Sequence, residues 1–251
     1  MRPFLIAVQF LTSVPVRLPE VPGPADQARA LLCYPLVGMA MGLTLALVGL
    51  ALDAALPPMP AAALLLAVWV AASGALHLDG VADTADGWLG GGGDRARALR
   101  IMRDPHTGAA GAVALVVLLL AKFSALVGLL VADAWAVLIV APLLGRAAMP
   151  VLLVTTPYLN ARGLGAVMAR HASRREALLV SAGAAVLALL AVGVTMGALA
   201  ALLTVGVSSV AALAWRQGLM RWLGGTSGDT AGALLELVEV AALLAASAAL
   251  N

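Results

Sequence analysis

Asp79, Asp83 and Asp86 stand close together in the stretch HLDGVADTADGWLGGGG (77–93). Separations of four and seven residues put three carboxylates on one stripe of a helix. Like charges so placed repel one another and are costly to desolvate. A divalent cation relieves both penalties, and an all-oxygen ligand set suits Mg2+ or Mn2+ rather than zinc. A solvated helix end explains one such aspartate better than it explains three. His77 is offset by two residues from Asp79 and so leaves the stripe. It is a candidate general base, with a hydrogen-bonded interface residue as the plainer reading. Gly87 and glycines 90–93 follow. Around Gly91 a bare backbone could approach a phosphate closely, or simply act as a linker.

A second glycine-rich, acidic stretch, GGTSGDTAGALLELVEV (224–240), repeats the theme near the other end of the chain. It carries Gly225, Asp229 and, on the same helical face seven residues later, Glu236, with Glu239 beyond. Between the two stretches lie DRARALRIMRDPHTG (94–108), Lys122 and Arg146. The segment 94–108 reads as a short amphipathic helix ending before Pro105. Arg103, Lys122 and Arg146 are candidate phosphate ligands, since guanidinium and ammonium groups pair well with such oxygens. Two alternatives compete. The loop arginines also satisfy the positive-inside rule, and Lys122 and Arg146 are the obvious ion-pair partners for Glu236 and Glu239. Asp79, Asp83, Asp86, Asp104, Asp229 and Glu236 form the full set of candidate metal ligands. Asp83, Asp86 and His77 are the candidates for proton transfer. There is no GxxxxGK[ST] phosphate loop. The residues alone therefore point to metal-dependent transfer of a phosphate-linked group.

The elements that must hold these groups are set by composition. Of 251 residues, 63% are hydrophobic and only 11% are charged, against about 25% charged in an ordinary soluble domain. Mean hydropathy is +1.03. The chain is expected to be an all-α, polytopic membrane bundle forming one domain over 1–251, with the lipid bilayer as its solvent. The formal charge of +2 does not suggest nucleic acid as a partner. Lone Cys33 forms no internal disulfide. The apolar stretch FLIAVQFLTSVPV is short and interrupted by Gln9, so it is not read as a cleavable signal. Apolar runs near 30–52, 60–77, 108–131, 135–155, 177–195, 198–215 and 231–250 give about seven crossings. Arginines crowd alternate connections: 2, 17 and 29, then 95–103, then 162–175, then 216 and 221. The connections around 57–60, 133 and 196 hold no Lys or Arg. This alternation predicts a cytoplasmic N-terminus and puts both acidic stretches on the cytoplasmic side.

HLDGVADTADG (77–87) resembles the signature of the cobalamin synthase family, the adenosylcobinamide-GDP ribazoletransferases. QFLTSVPV (9–16), YPLVG (34–38), MRDPHTGAAG (102–111), PYLNARGLG (157–165) and GGTSGDTAGALLE (224–236) are similar to further family elements, in the same order. The chain departs from the family pattern at Ser13, where a basic residue is usual, at His106, where Arg is common, and at Ala110, where an aromatic is usual. The resemblance implies a multi-pass enzyme of the bacterial cytoplasmic (inner) membrane that uses Mg2+. Its substrates would be adenosylcobinamide-GDP and α-ribazole or α-ribazole 5′-phosphate. The products would be GMP and adenosylcobalamin or its 5′-phosphate. A homo-oligomer is left open. A Mg2+-dependent CDP-alcohol phosphotransferase is the nearest rival, but Asp83 and Thr84 stand where its DGxxAR signature needs Ala and Arg. An ion-coupled permease using Glu236, Glu239, Lys122 and Arg146 is the rival from another class.

Overall fold

The computed structural model describes residues 2–18, 20–160 and 164–250. Among them the chain forms twelve helices, and its only strand-like feature is an isolated bridge between Tyr158 and Thr226. Short helices α1 (Arg2–Leu11) and α2 (Pro24–Leu32) precede the first long one, α3 (Tyr34–Asp53). Next come α4 (Pro58–Ser73), α5 (Leu76–Gly91) and the short α6 (Arg95–Ile101). Long helices α7 (Ala109–Val131) and α8 (Trp135–Thr155) follow, then short α9 (Leu164–His171). The chain ends with α10 (Arg174–Met196), α11 (Ala198–Trp222) and α12 (Gly228–Ala248).

Six of these helices, α3, α7, α8, α10, α11 and α12, are long and apolar enough to cross a bilayer. Backbone groups in lipid find no water, so a helix, which pairs them internally, is the natural spanning unit. The seventh expected crossing, 60–77, departs from expectation. It is not a straight span: α4 stops at Ser73, and α5 sets off at 89° to it. Gly74 (φ 64°) and Ala75 (φ 58°) both take the left-handed conformation, which ends one helix and re-aims the next. The carbonyl of Ala72, freed by the break, accepts the Ser13 N–H at 2.8 Å. The acidic stretch therefore has a helix of its own. Counted as one crossing, the bent pair restores seven.

Helices α8 and α12 are the most enclosed of the spans. Helix α8 packs on α3, α10 and α12, while α5 packs on α12, α7 and α6. Leu45, Leu65, Leu126, Leu138 and Leu152 are fully buried in the shared apolar core. Asp94 caps α6, accepting the N–H groups of Ala96 (2.8 Å) and Arg97 (3.1 Å), which hold its carboxyl below the usual carboxylate range. The expected short helix after 94 is thus present, ending at Ile101.

Candidate active site

Helix α5 turns His77, Leu78, Gly80, Val81 and Thr84 inward and leaves Asp79 exposed, with Asp83 and Asp86 half-buried. Gly80 decides what the acidic stripe meets. A Cβ there would lie 2.5 Å from the Asp229 carbonyl oxygen and 3.0 Å from its Cα. Only a glycine lets α5 come this near to the first turn of α12. The two acidic stretches, some 140 residues apart in sequence, consequently share one place. Asp83 lies in the field of Asp79, Asp229 and Asp86. Asp229 in turn feels Asp79 and Arg103, and accepts a hydrogen bond from Ser227 Oγ at 3.3 Å.

The start of α12 is firmly built. Ser227 and Thr230 form a capping box, the Ser227 N–H donating to Thr230 Oγ1 at 2.8 Å and the Thr230 N–H donating to Ser227 Oγ at 3.3 Å. Trp215 Nε1 donates to the Thr230 carbonyl at 2.9 Å. The connection before α12 is paired with the one after α8. Leu159 N–H donates to the Thr226 carbonyl and Thr226 N–H to the Pro157 carbonyl, both at 2.8 Å. This pairing brings Tyr158 to the acids, and Asp229 is the charged group that acts on its phenol. Burial and that carboxylate push the phenol up, so it is a proton donor at neutral pH. Periodicity gave no hint of Tyr158. It lies in a loop, and only the motif PYLNARGLG drew attention to its surroundings.

The remaining sequence candidates are distributed differently from expectation. Asp86 accepts the Gly108 N–H at 2.7 Å and the Gly111 N–H at 2.9 Å. It therefore caps α7 from a neighbouring helix, although it shares the stripe. Asp104 is exposed and accepts from His106, through Nδ1 at 2.8 Å and the backbone N–H at 3.0 Å, which lowers its carboxyl. It is not among the charges acting on Asp83 or Asp229. Glu236, Lys122 and Arg146 lie deep in the bundle. Lys122 Nζ donates to Glu236 and to Glu239, each at 2.6 Å, while Arg146 donates to Glu239. Lys122 also lies 4.7 Å from the centre of the Trp69 ring. The two cations neutralise the two carboxylates, so the ion-pair alternative describes this cluster better than metal binding by Glu236 or phosphate binding by Lys122 and Arg146.

His77 is 2% exposed and faces this ion cluster, with Arg146, Glu239 and Lys122 acting on it. Among the described residues neither ring nitrogen has a hydrogen-bond partner. The offset from the stripe is real, and it points the ring into the protein rather than toward the carboxylates. Gly91 and Gly225 are also used in packing. A Cβ at Gly91 would sit 2.8 Å from the Ala98 Cβ of α6, and one at Gly225 would sit 2.5 Å from the Pro157 carbonyl oxygen.

Mg2+ must be weighed against this geometry. Among the described residues, no three His, Cys, Asp or Glu side chains close into a preformed cage. Mg2+ is commonly held by one or two carboxylates together with substrate phosphates and water. Exposed Asp79 and half-buried Asp83 and Asp229, oxygen donors that lie within one another's electrostatic reach, fit that mode.

Fold and site together define a polytopic helical membrane protein with aspartates gathered where α5 crosses the start of α12. The chain belongs to the cobalamin-5-phosphate synthase family, whose model matches residues 3–247. It is accordingly a transferase of cobalamin biosynthesis. A Stutzerimonas stutzeri (strain A1501) protein named adenosylcobinamide-GDP ribazoletransferase is 52% identical over 244 residues, covering 97% of each chain. Like-named proteins of Ectopseudomonas mendocina (strain ymp) and Pseudomonas putida (strain W619) are 52% and 49% identical, covering 96% or more of both partners in each comparison. No solved structure matches this chain.

Proposed function

We propose that the crossing of α5 and α12 is the catalytic centre for transfer of adenosylcobinamide phosphate from adenosylcobinamide-GDP to the 5′-hydroxyl of α-ribazole or its 5′-phosphate. The observation that carries this reading is the contact of Gly80 with the Asp229 backbone, which makes one array of Asp79, Asp83 and Asp229. In the reaction the 5′-oxygen forms a bond to the phosphorus next to the cobinamide. The bond from that phosphorus to the bridging oxygen breaks, and GMP leaves with the bridging oxygen. The hydroxyl proton passes to Asp83, the carboxylate on which the charges of Asp79, Asp229 and Asp86 all act. Asp79, Asp83 and Asp229 would hold Mg2+, which when bound neutralises charge on the diphosphate. Arg103, whose charge acts on Asp229, would add a second positive charge near the diphosphate.

The test is incubation of the reconstituted protein with adenosylcobinamide-GDP, α-ribazole and Mg2+. GMP and an α-ribazole-bearing corrinoid should appear together, and chelation of Mg2+ should stop both. Turnover unaffected by chelation would remove the ion from the account. We further place this centre on the cytoplasmic face of a bacterial inner membrane, because the arginine-bearing connections share its side of the alternation. With Cys33 replaced, a cysteine at Arg97 should react with an impermeant maleimide only from the cytoplasmic side, and one at Met59 only from the opposite side. The reverse pattern would overturn the orientation.

A further inference from the structure

Tyr158 is held in place more firmly than a loop residue needs to be. Its backbone forms a parallel bridge with Thr226, framed by the two 2.8 Å hydrogen bonds already described. Thr226 is itself fixed to the first turn of α12 by a 2.9 Å contact between its hydroxyl and that of Thr230. The ring is wedged against α9: a Cβ at Gly165 would lie 2.6 Å from its ring carbons and its oxygen. The hydroxyl reaches the first residue of α12, 3.6 Å from where a Gly228 Cβ would be, directly before Asp229. Among the described residues no hydrogen bond uses that hydroxyl. Ahead of the capped Thr230 N–H, the first N–H groups of the helix have no intrahelical partners and attract anions. A rigid donor, unused among the described residues, thus stands where a diphosphate drawn to Arg103 and to a cation on the carboxylate array would lie.

We propose that Tyr158 is a substrate-contacting residue, its phenolic O–H donating a hydrogen bond to a phosphate oxygen of the diphosphate-linked substrate. This rests on the reaction proposed above, and it extends the centre to a third piece of chain, the connection after α8. The ring sets the direction of the bond, and the hydroxyl supplies it. A hydrogen bond to a charged oxygen is worth about a ten- to hundredfold change in affinity.

The experiment compares the full-length protein with Tyr158→Phe and Tyr158→Ala, each in nanodiscs with Mg2+. Direct binding of adenosylcobinamide-GDP is measured alongside turnover. Tyr158→Phe should weaken donor binding about ten- to a hundredfold and leave the KM for α-ribazole unchanged, with Tyr158→Ala at least as weak. Wild-type binding by Tyr158→Phe, with loss only in Tyr158→Ala, would reduce the residue to ring packing and overturn the proposal. A raised KM for α-ribazole with unchanged donor binding would overturn it equally, since the hydroxyl would then serve the acceptor. A wild-type protein that binds the donor without turning it over contradicts the proposed reaction instead. The binding difference between wild type and Tyr158→Phe would still decide the role of Tyr158.

Discussion

Asp86 shows how residues of one type on one stripe can divide their labour. Both its oxygens accept backbone N–H groups at the start of α7, so its charge answers a helix terminus. Asp79 and Asp83 have no such partners among the described residues and remain available to a cation. Replacing Asp86 with Ala should therefore destabilise the protein by about 1–2 kcal/mol, the usual range for a lost cap. Asp86→Asn, which keeps an accepting oxygen, should retain most of that stability. Thermal unfolding in detergent checks this, and a stable Asp86→Asn with no activity would return Asp86 to the chemistry. The stripe itself was legible because side-chain period depends only on helical geometry. The cap was not, because its partners are featureless backbone groups 22 and 25 residues away.

At the scale of elements, the decisive features are a bend and a crossing. Apolar runs announced the long spans, since lipid tolerates little else. The 89° break between α4 and α5 escaped detection because Gly74-Ala75 resembles any small pair, and alanine rarely adopts a left-handed φ. The crossing of α5 with α12 was equally hidden: nothing in the local sequence says which glycine faces which backbone. Gly80→Ala tests it. The added methyl cannot fit against Asp229 without separating the two helices. A displacement of about 1 Å at a catalytic constellation can lower activity about a hundredfold. Steady-state kinetics on the folded variant should show such a loss, and near-normal turnover would mean the crossing does not align the site.

At the scale of the whole molecule, the bundle is tied together by charge as well as by leucine. Lys122 on α7, Arg146 on α8 and Glu236 and Glu239 on α12 meet in the interior, with Trp69 of α4 and His77 of α5 against them. That basic and acidic residues inside the spans would seek one another was legible from the cost of unpaired charge in lipid. Their separation from the carboxylate array was not, because sequence does not give depth. Lys122→Met leaves two buried carboxylates with one cation and should destabilise the protein by about 3–5 kcal/mol, read as a fall in the unfolding temperature. The cluster also fixes the rotation of α12, and so the direction in which Asp229 points, two turns from Glu236. That rotation makes two distant acidic stretches into one centre. A double-mutant cycle on Mg2+-dependent GMP release tests that union most directly. Asp83→Asn and Asp229→Asn should each lower kcat/KM about a hundredfold or more, and the double variant should be little worse than the poorer single one. Losses that multiply, or an Asp229→Asn variant with wild-type turnover, would show that the two stretches act apart.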